Sequence, residues 1–352
     1  MRIDRRTFIR TTALSGVGLT VLQPNVWAQT AAPSVGVGFV ADTVGAQLPY
    51  PFSPRATALF DPTNGVAFER LLNRPDIDLI VADLAPGQRS PVAHAAMRAG
   101  KHVVCTGPVG QRIDDLLSLF QTHRQTGRHC LILDDDQADR DMLAITSMAK
   151  QGLFGPLSYV HCGSTSATNG LGMAMEWLGI HNGNAFRSLN ASLSKSWGLH
   201  EPSPSAEHQK NEPSVRNYQL GEVLTITLQC TNGELVVVNR DLAGERPYGR
   251  NMALQGRDAK WDSETNRLVR GATSRAFPAI RDRYEHPYWQ ETAPRKQPDA
   301  LGVLIDQIWT NQLAPEATQN ALMVSLIHVV AKHSLAAWGE EVLIPDLKSC
   351  LS

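Results

Sequence analysis

Five short stretches of the chain are apolar at almost every position: "VGVGFV" (35–40), "ATALF" (56–60), "IDLIVA" (77–82), "HVVC" (102–105) and "HCLIL" (129–133). Uninterrupted runs of this length predict strands buried on both faces, as in a parallel sheet. Between the later runs lie "PVAHAAMRAG", "IDDLLSLFQTHRQTG" and "RDMLAITSMAKQG", which place apolar residues at helical spacing. The first two carry a glycine near the end, a helix stop signal. Alternation of strand and helix predicts a doubly wound α/β sheet, Rossmann-like, over residues 33–153.

The pattern changes after "GLFGPLSYVHCGS". "EVLTITLQC" and "ELVVVNRDL" flank "TNG", a hairpin with Asn232 and Gly233 in its turn. "RNMALQG" predicts a further strand, and "APEATQNALMVSLIHVVAKHSLAAWG" a long helix. Residues 154–352 are therefore expected to form an α+β domain with a mainly antiparallel sheet.

Composition adds limits. The chain has 352 residues, 42% hydrophobic and 19% charged, with a formal charge of −1. No basic excess points to nucleic acid as a partner. Five cysteines with no CxxC spacing argue against a disulfide framework or a zinc site. Cys105, Cys130, Cys162 and Cys230 fall in apolar runs, as small core residues do.

The N-terminus reads as a targeting segment. "DRRTFIR" sets Arg5 and Arg6 ahead of Thr7 and Phe8, as in a twin-arginine export signal, and "ALSGVGLTVL" and "NVWA" follow. The apolar run falls short of the roughly 20 residues of a stable membrane span. Cleavage after Ala28 would remove four arginines and Asp4, a net +3, taking −1 to −4. The expected location is periplasmic or secreted, with the twin-arginine export machinery as a transient partner. That route carries folded proteins, often with a cofactor already loaded. Nothing in the pattern settles oligomeric state, and a homo-oligomer is left open.

The order "IDLIVADLAPGQRSPVAHAAMRAGKHVVCTGPVGQRIDDLLSLFQTHRQTGR" resembles the N-terminal domain of the Gfo/Idh/MocA oxidoreductases. "QGLFGPLSYVHCG", "RPYGRNMALQG" and "YEHPYW" are similar to segments of the branch containing the NAD-dependent α-N-acetylgalactosaminidases. The resemblance runs from about residue 35 to 347. It implies NAD or NADP as cofactor and a carbohydrate or glycoside as substrate. In that chemistry the cofactor oxidises a sugar hydroxyl, a base removes the neighbouring proton, the anomeric substituent leaves, water adds and the hydride returns.

The reactive positions match less well than the scaffold. The family's phosphate-loop glycines fall at Ala41, Thr43 and Ala46, and Pro49, Pro51 and Pro54 oppose the helix that would follow. Asp61 stands where an acid binds ribose, and equally suits a turn in "FDPTNG". The "EKP"-like stretch after the fourth strand is "TGP", keeping only Pro108. After the fifth strand, Asp135 and Ala138 replace the branch's Asn and Tyr. The acidic run Asp134–Asp136 reads as a solvated loop, with a cation as the alternative. The branch's base segment becomes "MEWLGIHN", with Met175 at the Tyr position and Leu178 at the His position. His181 with adjacent Glu176 is the candidate displaced base, since residues 178 and 181 would share a helical face; a structural His181 is the alternative. Arg246, Tyr248 and Arg250 survive in "GERPYGR", so Arg246 is a candidate sugar ligand and Tyr248 a candidate catalytic group. Trp177 is a candidate sugar platform beside Trp197, Trp261 and Trp289, at least two of which suit a core. Two classes follow: a diverged sugar oxidoreductase or glycosidase-like enzyme, or a non-catalytic sugar-binding or assembly protein that has lost NAD.

Overall fold

The structure, a computed structural model, describes residues 35–42, 56–59, 65–163, 168–194, 223–241, 251–285, 289 and 299–347. Residues 34–352 form one compact unit. The N-terminal segment expected to direct export, Thr43 to Pro54 of the first loop, Asp61, Trp197, Arg246, Tyr248 and Arg250 lie outside the described residues.

All five apolar runs are strands: β1 (Val37–Ala41), β2 (Ala56–Leu59), β3 (Leu79–Asp83), β4 (His102–Cys105) and β5 (Cys130–Ile132). They pair in parallel in the order β2-β1-β3-β4-β5. Their uniform apolarity has a direct cause, because Leu79, Ile80, Val81 and Ala82 are all fully buried from both sides. Helices α1 (Val66–Leu72), α2 (Pro86–Arg98), α3 (Ile113–Thr126) and α4 (Arg140–Lys150) are wound through this sheet. Gly127, expected as a stop, closes α3 in the left-handed region at φ 65°. Helix α2 begins five residues before the expected "PVAHAAMRAG", with Pro86 in its first turn and Pro91 inside it. A proline lacking an N–H is harmless in the first turn, where that donor has no helical acceptor.

Residue 153 lies in the turn between α4 and β6 (Leu157–Cys162). A nine-stranded sheet follows, built from β6, β7 (Phe186–Leu193), β8 (Val223–Cys230), β9 (Leu235–Asp241), β10 (Ala253–Gly256), β11 (Lys260–Asp262), β12 (Arg267–Arg270), β13 (Thr273–Ala276) and β14 (Val342–Leu343). Its order is β13-β12-β11-β10-β6-β9-β8-β7-β14, antiparallel except for β6 against β9. The expected hairpin is β8–β9, with Gly233 at φ 99° in its turn. Alternation divides the sheet: Val160, Cys162, Ile226, Leu228, Val236, Val238 and Leu254 point into the core. Among the described residues, four further α-helices belong to this half: α5 (Leu171–Leu178), α6 (Pro278–Arg281), α7 (Ala300–Trp309) and α8 (Ala317–Ala336).

Helix α8 ties the two sheets together through small hydroxyls. Thr318 Oγ1 accepts the Cys130 N–H at 3.3 Å and Ser325 Oγ the Val109 N–H at 2.9 Å, both on the parallel-sheet side. Ser334 Oγ accepts the Ala191 N–H of β7 at 2.9 Å. All three are fully buried, so each satisfies a backbone donor that would otherwise be costly.

Candidate functional site

In a doubly wound sheet the carboxyl ends of the strands form the ligand edge, because the loops there diverge above the helix N-termini. Here that edge is acidic. Ala41 is the last residue of β1, buried beside Asp83 in the sheet register. The next residue, Asp42, accepts the Ala85 N–H through Oδ2 at 2.7 Å. Ala85 is the N-cap of α2, so an internal carboxylate already occupies the amide that an anionic ligand would seek. Asp83 accepts the Thr106 hydroxyl at 2.8 Å, joining the ends of β3 and β4.

Arg89 on α2 is a cation built into this edge. Its Nε donates to the Leu84 carbonyl at 2.8 Å, and Nη1 to the Pro108 carbonyl at 3.1 Å. Gly107 makes room for it, since a Cβ there would stand 2.6 Å from Nη1. Pro108 therefore serves as a carbonyl acceptor for Arg89. The sequence signal for Arg89 was slight, because it depends on a residue 18 positions away having no side chain.

After β5 the acidic run is not a uniformly solvated loop, a correction to its expected reading. Asp135 is exposed, but Asp134 and Asp136 are buried. Asp134 caps a 3₁₀ turn, Asp135–Ala138, by accepting the Asp136 N–H at 3.2 Å. Its other oxygen accepts the Thr168 hydroxyl at 2.7 Å, and Gly172 leaves the necessary space. Thr168 lies in the turn just before α5, so this contact clasps the ligand edge to the second half of the chain. Among the described residues no group of three His, Cys, Asp or Glu is placed to hold a metal ion.

Beside Thr168, Asn169 adopts φ 54° and its amide faces His328 Nε2 at 3.5 Å. His328 Nδ1 donates to the Val324 carbonyl at 2.7 Å, which leaves Nε2 as the acceptor. Burial lowers the His328 pKa, followed by the charges of Arg240 and Lys332, although the Val324 bond opposes them. This half-buried imidazole on α8 was not singled out by motif, because the contact links residues 159 positions apart.

The expected base segment is not assembled as anticipated. Helix α5 ends at Leu178, and Gly179 turns the chain at φ 63°. His181 follows in a turn at φ 71°, its N–H donated to the Asn184 carbonyl at 3.0 Å. It shares no helical face with residue 178, which removes the geometric premise of the expected rescue. Glu176 is paired with Lys150 at 2.7 Å on the exposed side of α5. Met175 and Leu178, at the branch's Tyr and His positions, are core side chains. The expectation that Trp177 offers its face to a sugar is also corrected. It is 7% exposed, its Nε1 donates to Thr146 Oγ1 at 2.8 Å, and its ring meets Trp261 edge-on at 6.4 Å. Trp289 stands elsewhere, with Nε1 on the Ala138 carbonyl at 3.2 Å and the Arg140 guanidinium 5.8 Å from its ring centre.

This arrangement is a Rossmann-like parallel sheet followed by an open mixed sheet. Two solved structures with the same fold are an inositol dehydrogenase homolog complexed with NAD+ from Azotobacter vinelandii and an aldose-aldose oxidoreductase complexed with glycerol from Caulobacter crescentus. The first aligns with a TM-score of 0.65 at 16% identity, covering 89% of this chain and 98% of that one. The second aligns with a TM-score of 0.60 at 15% identity, covering 88% and 99%. The profile of the glycosyl hydrolase 109 C-terminal domain matches residues 163–350, more than half of the chain, which therefore belongs to that family. A glycosyl hydrolase family 109 protein of Stenotrophomonas maltophilia is 26% identical over 278 residues, 64% of this chain and 61% of that protein. One from Shewanella amazonensis is 27% identical over 263 residues, 63% and 57%. The chain thus spans about three-fifths of the length of these two relatives.

Proposed function

We propose that this protein is an exported, carbohydrate-directed member of the family whose cleft takes a sugar and no longer holds a dinucleotide tightly. The Asp42–Ala85 bond carries the reading. A diphosphate needs converging N–H donors and positive potential, and here a fixed carboxylate fills the donor at the mouth of α2. Asp83 stands at the neighbouring strand end, and Arg89 spends two of its donors on backbone carbonyls. Most of the phosphate-loop positions, 43–54, lie outside the described residues, and no chemical step is assigned through a dinucleotide. Family membership supports carbohydrate as ligand class, and Arg246 and Tyr248 remain the groups proposed to meet sugar hydroxyls. Export rests on the twin-arginine segment, which supports a periplasmic or secreted location.

The second reading, an enzyme carrying NAD from before export, is favoured by the NAD+ complex of the Azotobacter vinelandii homolog sharing this fold. Calorimetry of the mature protein with NAD, NADP and a panel of mono- and oligosaccharides separates the two. Saccharide binding that Arg246→Ala or Tyr248→Ala weakens, without loss of fold, supports the first reading. Nucleotide copurifying near one per chain establishes the second.

A further inference from the structure

Trp338 ends α8 in the left-handed region, at φ 58°, with its side chain 98% exposed. The turn is a Schellman arrangement. The Gly339 N–H returns to the Ser334 carbonyl at 2.8 Å, and the Trp338 N–H to the Leu335 carbonyl at 3.2 Å. The left-handed position of such a turn favours glycine, because a Cβ crowds the backbone there. Here the glycine comes one residue later, Gly339 at φ 87°, and the largest side chain takes the strained position. A bulky residue in this region costs stability, and an indole in open solvent recovers none of it by packing. The described residues give no packing reason for a tryptophan at 338, so the reason lies in what the ring meets.

We propose that Trp338 is an accessory platform on which a polymeric carbohydrate stacks, separate from the strand-end cleft; the ligand class rests on the carbohydrate reading above. The surroundings select a sugar over a protein. Between residues 332 and 346 the other large exposed apolar side chain is Leu343, while Lys332, His333, Glu340, Glu341 and Asp346 are exposed and polar or charged. A stable protein interface buries about 800 Å² per partner around an apolar core, which one ring and one leucine do not supply. A pyranose ring needs only a flat π face for its C–H groups and polar neighbours for its rim hydroxyls. His328 and Trp338 are ten residues apart on α8, about 15 Å along its axis. A monosaccharide cannot span that distance, whereas a polymer held at the ring is kept at high local concentration near the cleft.

Affinity electrophoresis of wild type, Trp338→Tyr and Trp338→Gly through gels containing soluble cellulose, chitosan or galactan tests this. Calorimetry with the matching monosaccharides runs alongside. The expected result is retardation of wild type by at least one polymer, loss of affinity of fivefold or more in Trp338→Gly, and an intermediate value for the tyrosine variant. Monosaccharide binding at the cleft stays unchanged. Glycine also relieves the strained turn, so Tm of Trp338→Gly should rise by roughly 1–3 °C. Equal retardation of wild type and Trp338→Gly, no retardation by any polymer, or a lower Tm overturns the proposal. So does a concentration-dependent dimer, seen by sedimentation, that Trp338→Gly abolishes, since the ring would then face a second copy. Monosaccharide binding reports on the cleft separately, so failure there does not mimic failure here.

Discussion

The Asp42 carboxylate accepts the Ala85 N–H at 2.7 Å, so the residue that follows β1 is committed to the amide that opens α2. This bond ties the end of β1 to the start of α2.

The first prediction concerns dinucleotide affinity. NAD and NADP should bind with dissociation constants no tighter than the millimolar range, equivalent to about 4 kcal/mol. Asp42→Ala should also cost about 1 kcal/mol of stability, the usual net worth of one such hydrogen bond. Isothermal titration and urea unfolding measure the two effects. A low micromolar constant for the wild-type protein would restore the enzyme reading.

Much of the fold was legible because the physics was local. β1 and β3 announced themselves by continuous apolarity, and the β8–β9 turn by Asn232 and Gly233. β12 and β13 did not. Arg267, Arg270, Thr273 and Arg275 are exposed on strands at the sheet edge, which removes the apolar alternation that would reveal them. The site was less legible for a related reason. Burial of Asp134 depends on Thr168, and the seat of Arg89 on Gly107, and neither pairing leaves a mark in its own segment. The motif positions 175 and 178 could be read as altered. That α5 turns them into the core could not, because the eight-residue helix is apolar on most of its surface.

Trp177 should behave as a core residue. Trp177→Phe removes the hydrogen bond to Thr146, whose hydroxyl keeps its bond to the Met142 carbonyl at 2.9 Å, and should cost about 1–2 kcal/mol. Trp177→Ala should cost roughly 3–5 kcal/mol through the cavity it leaves. Urea denaturation gives both values. Saccharide affinity of the phenylalanine variant should match wild type, and a clear loss without destabilisation would return Trp177 to the site.

Export should depend on the arginine pair. Replacing Arg5 and Arg6 together with lysine keeps the charge and the apolar run but removes the twin-arginine motif. Precursor should then accumulate in the cytoplasm. Normal appearance of that variant outside would sink the assignment.

The last prediction is an acid-side loss of stability set by two histidines. His102 and His129 stack at 5.5 Å, and His123 lies 5.0 Å from His129. The backbone N–H of His129 donates to His102 Nδ1 at 3.2 Å, while His129 Nδ1 meets Thr318 Oγ1 of α8 at 3.1 Å. Both pKa values are pushed down to about 4, first by burial. For His102 the Arg128 charge and then His129 add to this, against an opposing Asp78; for His129, His123 and then Arg128 do so. Depressed folded values mean that the unfolded chain takes up protons first. The neutral pair therefore contributes fully above about pH 6.5, and that contribution drains away as pH falls toward 4. After allowance for partial solvent screening, the pair accounts for roughly 2–4 kcal/mol across this window. Thermal unfolding between pH 7.5 and 4.5 should show a falling Tm, and the fall should be shallower in the His102→Gln, His129→Gln double variant. Because Thr318 sits on the helix that joins the two sheets, hydrogen exchange near Thr318 should rise first. A Tm flat across that range, or the same slope in the double variant, would place the acid sensitivity elsewhere.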